Sequence, residues 1–90
     1  MSVPGETKLP IQLALQDNFR TNYYRDYIGA MESAISADGV DVRGYFAWSL
    51  VDNFEWTNGY SVRFGMVFID YEDNQTRYIK DSAHWYSEFI

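Results

Sequence analysis

The sequence contains no cysteine. Disulfides, zinc–thiolate sites and thiol nucleophiles are therefore excluded, and so is a small secreted domain stapled by disulfides, although secretion of a larger parent is not. Cations are scarce: 7 Lys and Arg are spread thinly against 13 Asp and Glu, for a net charge of −6. Nucleic-acid binding rests on clustered cations that neutralise phosphate, so no nucleic-acid partner is expected. The same shortage argues against docking to an anionic membrane surface. No apolar run approaches the ~20 residues that span a bilayer, so no membrane partner is expected either. The start, Met1-Ser2-Val3-Pro4-Gly5-Glu6, lacks the basic region and apolar core of a signal peptide. For this chain that points to the cytoplasm. There are no repeats, low-complexity tracts or linkers, and 90 residues allow a single unit spanning 1–90. A chain this short buries a modest fraction of its surface, which makes its independent stability marginal.

What the sequence has in abundance is aromatic side chains: 8 Tyr, 6 Phe and 3 Trp, or 19% of all residues. Aromatics bury large apolar areas, and composition alone assigns most of them to a core. Their second use is to stack against the C–H faces of sugar rings.

Residues Ser2 to Gln16 read as a loop, with Pro4-Gly5 a turn dipeptide and Pro10 discouraging helix at Leu9. Asp17 and Asn18 then offer capping side chains. After them Phe19, Tyr23, Tyr24, Tyr27, Ile28, Met31, Ala34 and Ile35 recur at helical spacing, one apolar face of an amphipathic helix that is expected to pack as core. Asp38-Gly39 stops this helix. The stretch from Val42 to Leu50 is short, β-rich and almost continuously apolar, the pattern of a strand covered on both faces in a parallel sheet. Helix, tight turn and buried strand make half of a βαβ unit whose preceding strand is missing. Asp52 to Arg63 is polar, aromatic and turn-prone, with Asn58-Gly59 a strong turn signal. Phe64 to Tyr71 reads as another strand, Glu72 to Gln75 as a turn, and Arg77-Tyr78-Ile79 as the short return arm of a hairpin. Asp81 or Ser82 can cap a last helix, Ala83 to Ile90, that presents Trp85, Tyr86, Phe89 and Ile90. This order closes no sheet by itself.

The chemically informative stretch is Trp48-Ser49-Leu50-Val51-Asp52-Asn53-Phe54-Glu55-Trp56. Two Trp bracket Glu55 just past the carboxyl end of an expected parallel strand, where ligand sites of α/β folds sit. A sugar site needs an apolar platform for the ring face and a charged acceptor for the hydroxyls. Trp and Glu supply both from side chains that lose little entropy on binding. On spacing alone, core Trp residues and a solvated loop Glu explain the stretch equally well.

The longer string resembles glycoside hydrolase family 1, the β-glucosidase-type enzymes. Gly44-Tyr45-Phe46-Ala47-Trp48-Ser49-Leu50-Val51-Asp52-Asn53-Phe54-Glu55-Trp56 looks like that family's eighth barrel strand and the loop after it. Gly59-Tyr60-Ser61-Val62-Arg63-Phe64-Gly65 follows with the family's spacing, and Val67-Phe68-Ile69-Asp70-Tyr71 is similar to the next segment. Arg77, Lys80-Asp81-Ser82-Ala83 and Trp85-Tyr86 match the start of its final helix, while Phe19-Arg20 and Asp38 to Gly44 match its seventh helix and exit. The resemblance implies an α/β fold: the carboxy-terminal portion of a (β/α)8 TIM barrel, comprising seventh helix, eighth strand, hairpin and eighth helix, not a complete barrel. That is roughly a fifth of such an enzyme.

By the same resemblance, Trp48 is the platform under the nonreducing sugar and Glu55 accepts hydrogen bonds from its outer hydroxyls. Trp56 also contacts that sugar, and Phe64 lines the same subsite. The substrate implied is a β-glucoside or a related sugar, and the implied partner is the missing amino-terminal barrel segment. No cofactor or metal is implied. Retaining glycosidases use two carboxylates about 5–5.5 Å apart. The family carries its nucleophile in Thr-Glu-Asn-Gly and its acid/base in Asn-Glu-Pro, and neither string occurs here. Ser2 to Glu6 resembles the residues directly after the nucleophile motif, which makes Met1 an interior position of the expected parent. That implies a truncated reading frame, an engineered fragment or a split-barrel piece, inactive by itself and with no catalytic residue of its own.

Other candidates weigh less. Glu6, Glu32, Glu72 and Glu88 have no motif around them and are expected to be solvated. His84, the only histidine, has no second ligand nearby in sequence and is expected to pack rather than bind metal. Asp70-Tyr71-Glu72-Asp73-Asn74 resembles a calcium loop, but Gln75 holds the required glycine position, so a polar turn is expected. Asn74-Gln75-Thr76 is a glycosylation acceptor pattern that matters only in a secreted protein. Three readings remain: a hydrolase fragment that carries the sugar wall, a small sugar-binding module, and an orphan fragment with no function beyond folding or association.

Overall fold

A computed structural model describes all of residues 1–90. Its longest element, α2 (Asn18–Asp38), follows the apolar spacing and ends where glycine permits a left-handed residue. Gly39 has φ 66°, and its amide donates to the Ile35 carbonyl at 3.1 Å. The expected core stripe is only half covered. Tyr24 and Ile28 are buried and meet Met66, with Trp85 and Tyr86 of the last helix packed around them. Phe19, Tyr27 and Ile35 of the same stripe are exposed. Met1 borders the hollow beside Phe19 and Tyr27, and Phe89 the one beside Ile35, without covering them.

The segment before α2 is less of a loop than expected. It contains a 3-10 turn, Glu6–Lys8, and a one-turn helix α1 (Ile11–Ala14) directly after Pro10. Proline is tolerated there because its fixed φ suits a helix start, where its missing amide costs nothing. A single turn is too short for periodicity to reveal.

Neither expected cap works as a cap. Asp17 precedes α2, but its side chain bonds no helix amide. Its carboxylate instead accepts from Arg20 Nη1 at 2.7 Å and from the Ser82 amide at 2.8 Å and hydroxyl at 2.5 Å. Ser82 therefore cannot cap α3 (Asp81–Phe89), whose cap position holds Lys80. Charge-assisted bonds are shorter and stronger than neutral ones, so tertiary partners outcompete the local amides.

The hairpin forms as expected, with a shorter first strand and a return arm longer by Thr76: β1 (Val67–Asp70) pairs antiparallel with β2 (Thr76–Ile79), from Val67 opposite Ile79 to Asp70 opposite Thr76. The expected strand from Val42 to Leu50 is not a strand within this chain. Its first ladder-like bonds come at Ser49, whose amide donates to Phe64 O at 3.1 Å and whose carbonyl accepts from Met66 N at 2.9 Å. Leu50 O accepts from Val67 N at 3.0 Å, and Val51 forms a lone parallel bridge to Val67. An apolar run says which residues want cover, whereas a strand needs a neighbour to pair with. Phe46 and Leu50 accordingly stand exposed. No helix is long and apolar enough to cross a membrane.

Candidate functional site

Six charged side chains build the frame beneath the site. Arg20 donates to Glu6 at 2.8 Å and to Asp17 at 2.7 Å, and Lys80 reaches Glu6 and Asp52 at 3.1 Å each. Arg63 closes the chain of contacts on Asp52 at 2.6 Å. Three acids balance three bases, which is how charges survive out of water. The expectation that Glu6 is a solvated charge fails: it is buried between two cations. Glu32, Glu72 and Glu88 are exposed, as expected. Burial works against the charge of Arg20, but its hydrogen bonds to Glu6 and Asp17 outweigh it and hold its pKa above the ordinary arginine value. For Lys80, burial and the nearby charge of Arg20 pull the pKa below the ordinary lysine value, although Asp52 and Glu6 oppose them.

This frame fixes the loop that carries the candidate residues. Arg63 lies over the rings of Phe68 and Tyr71, 4.0 and 4.9 Å from their centroids. Its position brings the exit of the loop back to Asp52 at the entry. Gly65 approaches so closely that a Cβ there would sit 2.3 Å from the Asp52 amide nitrogen.

On this frame Trp48 and Glu55 meet. The indole Nε1 of Trp48 donates toward both Glu55 oxygens, at 3.3 Å each. Glu55 is 4% exposed and Trp48 60% exposed, so a buried carboxylate edge adjoins an open ring face. The Glu55 amide donates to Gly59 O at 2.7 Å, which folds the loop back on itself around the 3-10 turn Trp56–Asn58. Trp56 stands out into solvent with φ 48°, joined to the pair through the backbone alone. Phe64 is half-buried, and its carbonyl accepts the bond from Ser49, the residue after Trp48. None of the surface hollows is lined by any of these four residues. They form one open wall.

The Trp48 carbonyl is anchored from below by the Met1 amine at 2.9 Å and the Tyr24 hydroxyl at 3.2 Å. Burial raises the Tyr24 pKa to about 12, with Arg20 opposing. An unfolded Tyr ionises near ~10. The folded pKa is the higher one, so the stability Tyr24 contributes is complete below pH ~10 and is lost as pH rises towards about 12. Absorbance titration at 295 nm should show a late phenolate step near that value that disappears in Tyr24→Phe. Unchanged titration in the variant would contradict this placement.

The lesser candidates resolve simply. His84 is exposed on α3, so it does not pack as expected, and no cluster of three potential metal ligands is present. The acidic turn is satisfied by its own groups: Asp70 accepts the Glu72 amide at 3.1 Å, and Thr76 donates to Asp73 O at 2.7 Å. Asn74 is exposed at the tip of that turn. Sequence reasoning missed the frame residues Glu6 and Asp17. The available signal was the string Lys80-Asp81-Ser82, a lysine entering a helix with no acidic partner near it in sequence except Asp81.

Residues 5–90 match the family described as glycosyl hydrolase family 1. Beta-glucosidase 12 of rice, Oryza sativa subsp. indica, is 56% identical over 82 residues, covering 91% of this chain and 16% of that protein. Beta-glucosidase 40 of Arabidopsis thaliana is 47% identical over 90 residues, covering 100% of this chain and 18% of that one. The crystal structure of a β-glucosidase from the fungus Humicola insolens in complex with glucose superposes with a TM-score of 0.95 and 48% identity, over 98% of this chain and 18% of its own. The two helices, the hairpin and the open stretch between them are thus a part of a TIM-barrel β-glucosidase fold and not a closed barrel. The chain spans less than a fifth of the relatives it matches, at 16% and 18% of their lengths, and it belongs to glycosyl hydrolase family 1.

Proposed function

We propose that this chain supplies the glycone-binding wall of a retaining β-glucosidase-type hydrolase that cleaves O-glycosidic bonds, and that neither catalytic glutamate lies within it. Trp48 offers the platform for the sugar ring and Glu55 the acceptor for its hydroxyls, with Trp56 and Phe64 completing the subsite. The observation that carries this reading is the contact between Trp48 Nε1 and both Glu55 oxygens at 3.3 Å, with the ring face left open. One N–H cannot satisfy a carboxylate with about four acceptor sites, so Glu55 keeps acceptor capacity that nothing else in this chain fills. Small-molecule sites bury most of their ligand. An open wall therefore favours completion by the rest of a barrel over independent sugar binding. Neither motif string that would carry a catalytic glutamate occurs in the sequence, and a lone carboxylate forfeits double displacement.

The partner of this wall is the remainder of the barrel, and the substrate class is a β-glucoside or a related sugar. The test is hydrolysis of a chromogenic aryl β-glucoside by the chain alone and by a full-length relative carrying this chain in place of its matching segment. Activity confined to the completed barrel supports the reading.

A further inference from the structure

We propose that Asp52 is a positioning residue for the sugar wall, setting the Glu55 carboxylate by clamping both ends of the loop that bears it; this rests on the glycone-binding reading above. The Asp52 side chain is fully buried and accepts from four donors. Its Oδ1 takes the Gly65 amide at 3.0 Å and Lys80 Nζ at 3.1 Å, while Oδ2 takes Arg63 Nη1 at 2.6 Å and, more weakly, the Ile69 amide at 3.4 Å. Asp52 stands at the loop entry; Arg63 and Gly65 stand at its exit. Its own amide donates to Val67 O at 3.0 Å, so backbone and side chain both tie the entry to the segment that follows the loop.

The bare Cα of Gly65 is what permits the grip, because a Cβ there would fall 2.8 Å from Asp52 Oδ1. Glu55 follows Asp52 by three residues, and Trp48, which donates to Glu55, precedes it in the same segment. The two halves of the Trp48–Glu55 pair therefore flank the clamped residue. Every partner of Asp52 is a donor. Asparagine, of the same shape, must turn its own amide hydrogens toward at least one of them, leaving two donors face to face in a buried place. Asp52→Asn should loosen the loop entry while changing no volume.

The test is a double-mutant cycle in the completed barrel, read as kcat/KM for an aryl β-glucoside. Asp52→Asn is measured with Glu55 present and in a Glu55→Gln background. A residue that acts through Glu55 should cost about tenfold or more in the first case and little in the second, because charged hydrogen bonds are at stake only once. Equal fold-losses in both backgrounds would overturn the positioning role while leaving the sugar wall intact. A silent Glu55→Gln would overturn both the wall and the role that depends on it. Should Asp52→Asn fail to fold, Arg63→Lys weakens the same grip from its partly exposed side, and the same two outcomes decide.

Discussion

Lys80→Met is expected to unfold this chain, or to bring it to the edge of unfolding. Lys80 Nζ is the one cation between Glu6 and Asp52, and it also donates to Gly65 O at 2.7 Å. All three side chains lie inside the molecule. Removing one partner of a buried ion pair costs about 3–5 kcal/mol, because the other charge is left without compensation. Here Glu6 keeps Arg20 and Asp52 keeps Arg63, but each loses a buried charge-assisted bond, and the frame is left with three acids against two bases. A domain of this size holds on the order of 5–13 kcal/mol in total, so the loss is a large share of its stability. Arg43→Met is the contrast. Arg43 bonds Asp41 at 3.0 Å with both side chains largely in solvent, and such pairs contribute next to nothing measurable. Urea unfolding of the two variants should differ widely in midpoint. Equal midpoints would mean that the charged frame does not hold the fold.

Gly65→Ala and Gly29→Ala should change stability in opposite directions. A methyl group at residue 65 would meet the Asp52 nitrogen at 2.3 Å and the Val51 carbonyl carbon at 2.4 Å. These are backbone atoms of the segment that Gly65 itself binds, so relief requires separating residues 49–52 from residues 64–67. Overpacking of this kind costs about 1–3 kcal/mol, and the rigidity of the obstacle places it at the upper end. Gly29 lies inside α2, and a Cβ there meets nothing within 4 Å. Alanine at that position should gain about 0.5–1 kcal/mol, since glycine loses more backbone entropy in a helix. Thermal melting of the two variants reads the sign directly. If Gly65→Ala were neutral, the close approach of the two segments would be wrong.

The extent to which all this is legible in sequence follows the range of the forces. The helix from Asn18 to Asp38 and its glycine stop are written in local spacing, and they appear where expected. So does the hairpin, although the Phe64 carbonyl and the Met66 amide bond Ser49 and lie outside the ladder with β2. The short α1 leaves no period to read. Asp17 and Ser82 look like caps because their residue types favour capping, but they find each other across 65 positions of chain instead. Glu6 looks solvated because its partner Lys80 lies 74 residues away. No local pattern encodes such a distance. The strand expected from Val42 to Leu50 shows the converse: its apolar residues are legible, but the neighbours that would make it a strand are not among these residues.

Within the candidate wall, Trp48 and Glu55 are found in contact, which their seven-residue separation did not require. Trp56 and Phe64 sit nearby in sequence and backbone but touch neither ring nor carboxylate through any hydrogen bond. The resemblance of the string supplied their roles; packing within this chain does not.

The measurement that bears most directly on the account is turnover of an aryl β-glucoside, with equal amounts of the purified chain alone and of the full-length relative that carries it. The account predicts no hydrolysis above buffer from the chain alone and ready hydrolysis from the completed barrel. Turnover by the chain alone would contradict it, because a catalytic pair of carboxylates would then have to lie among these 90 residues.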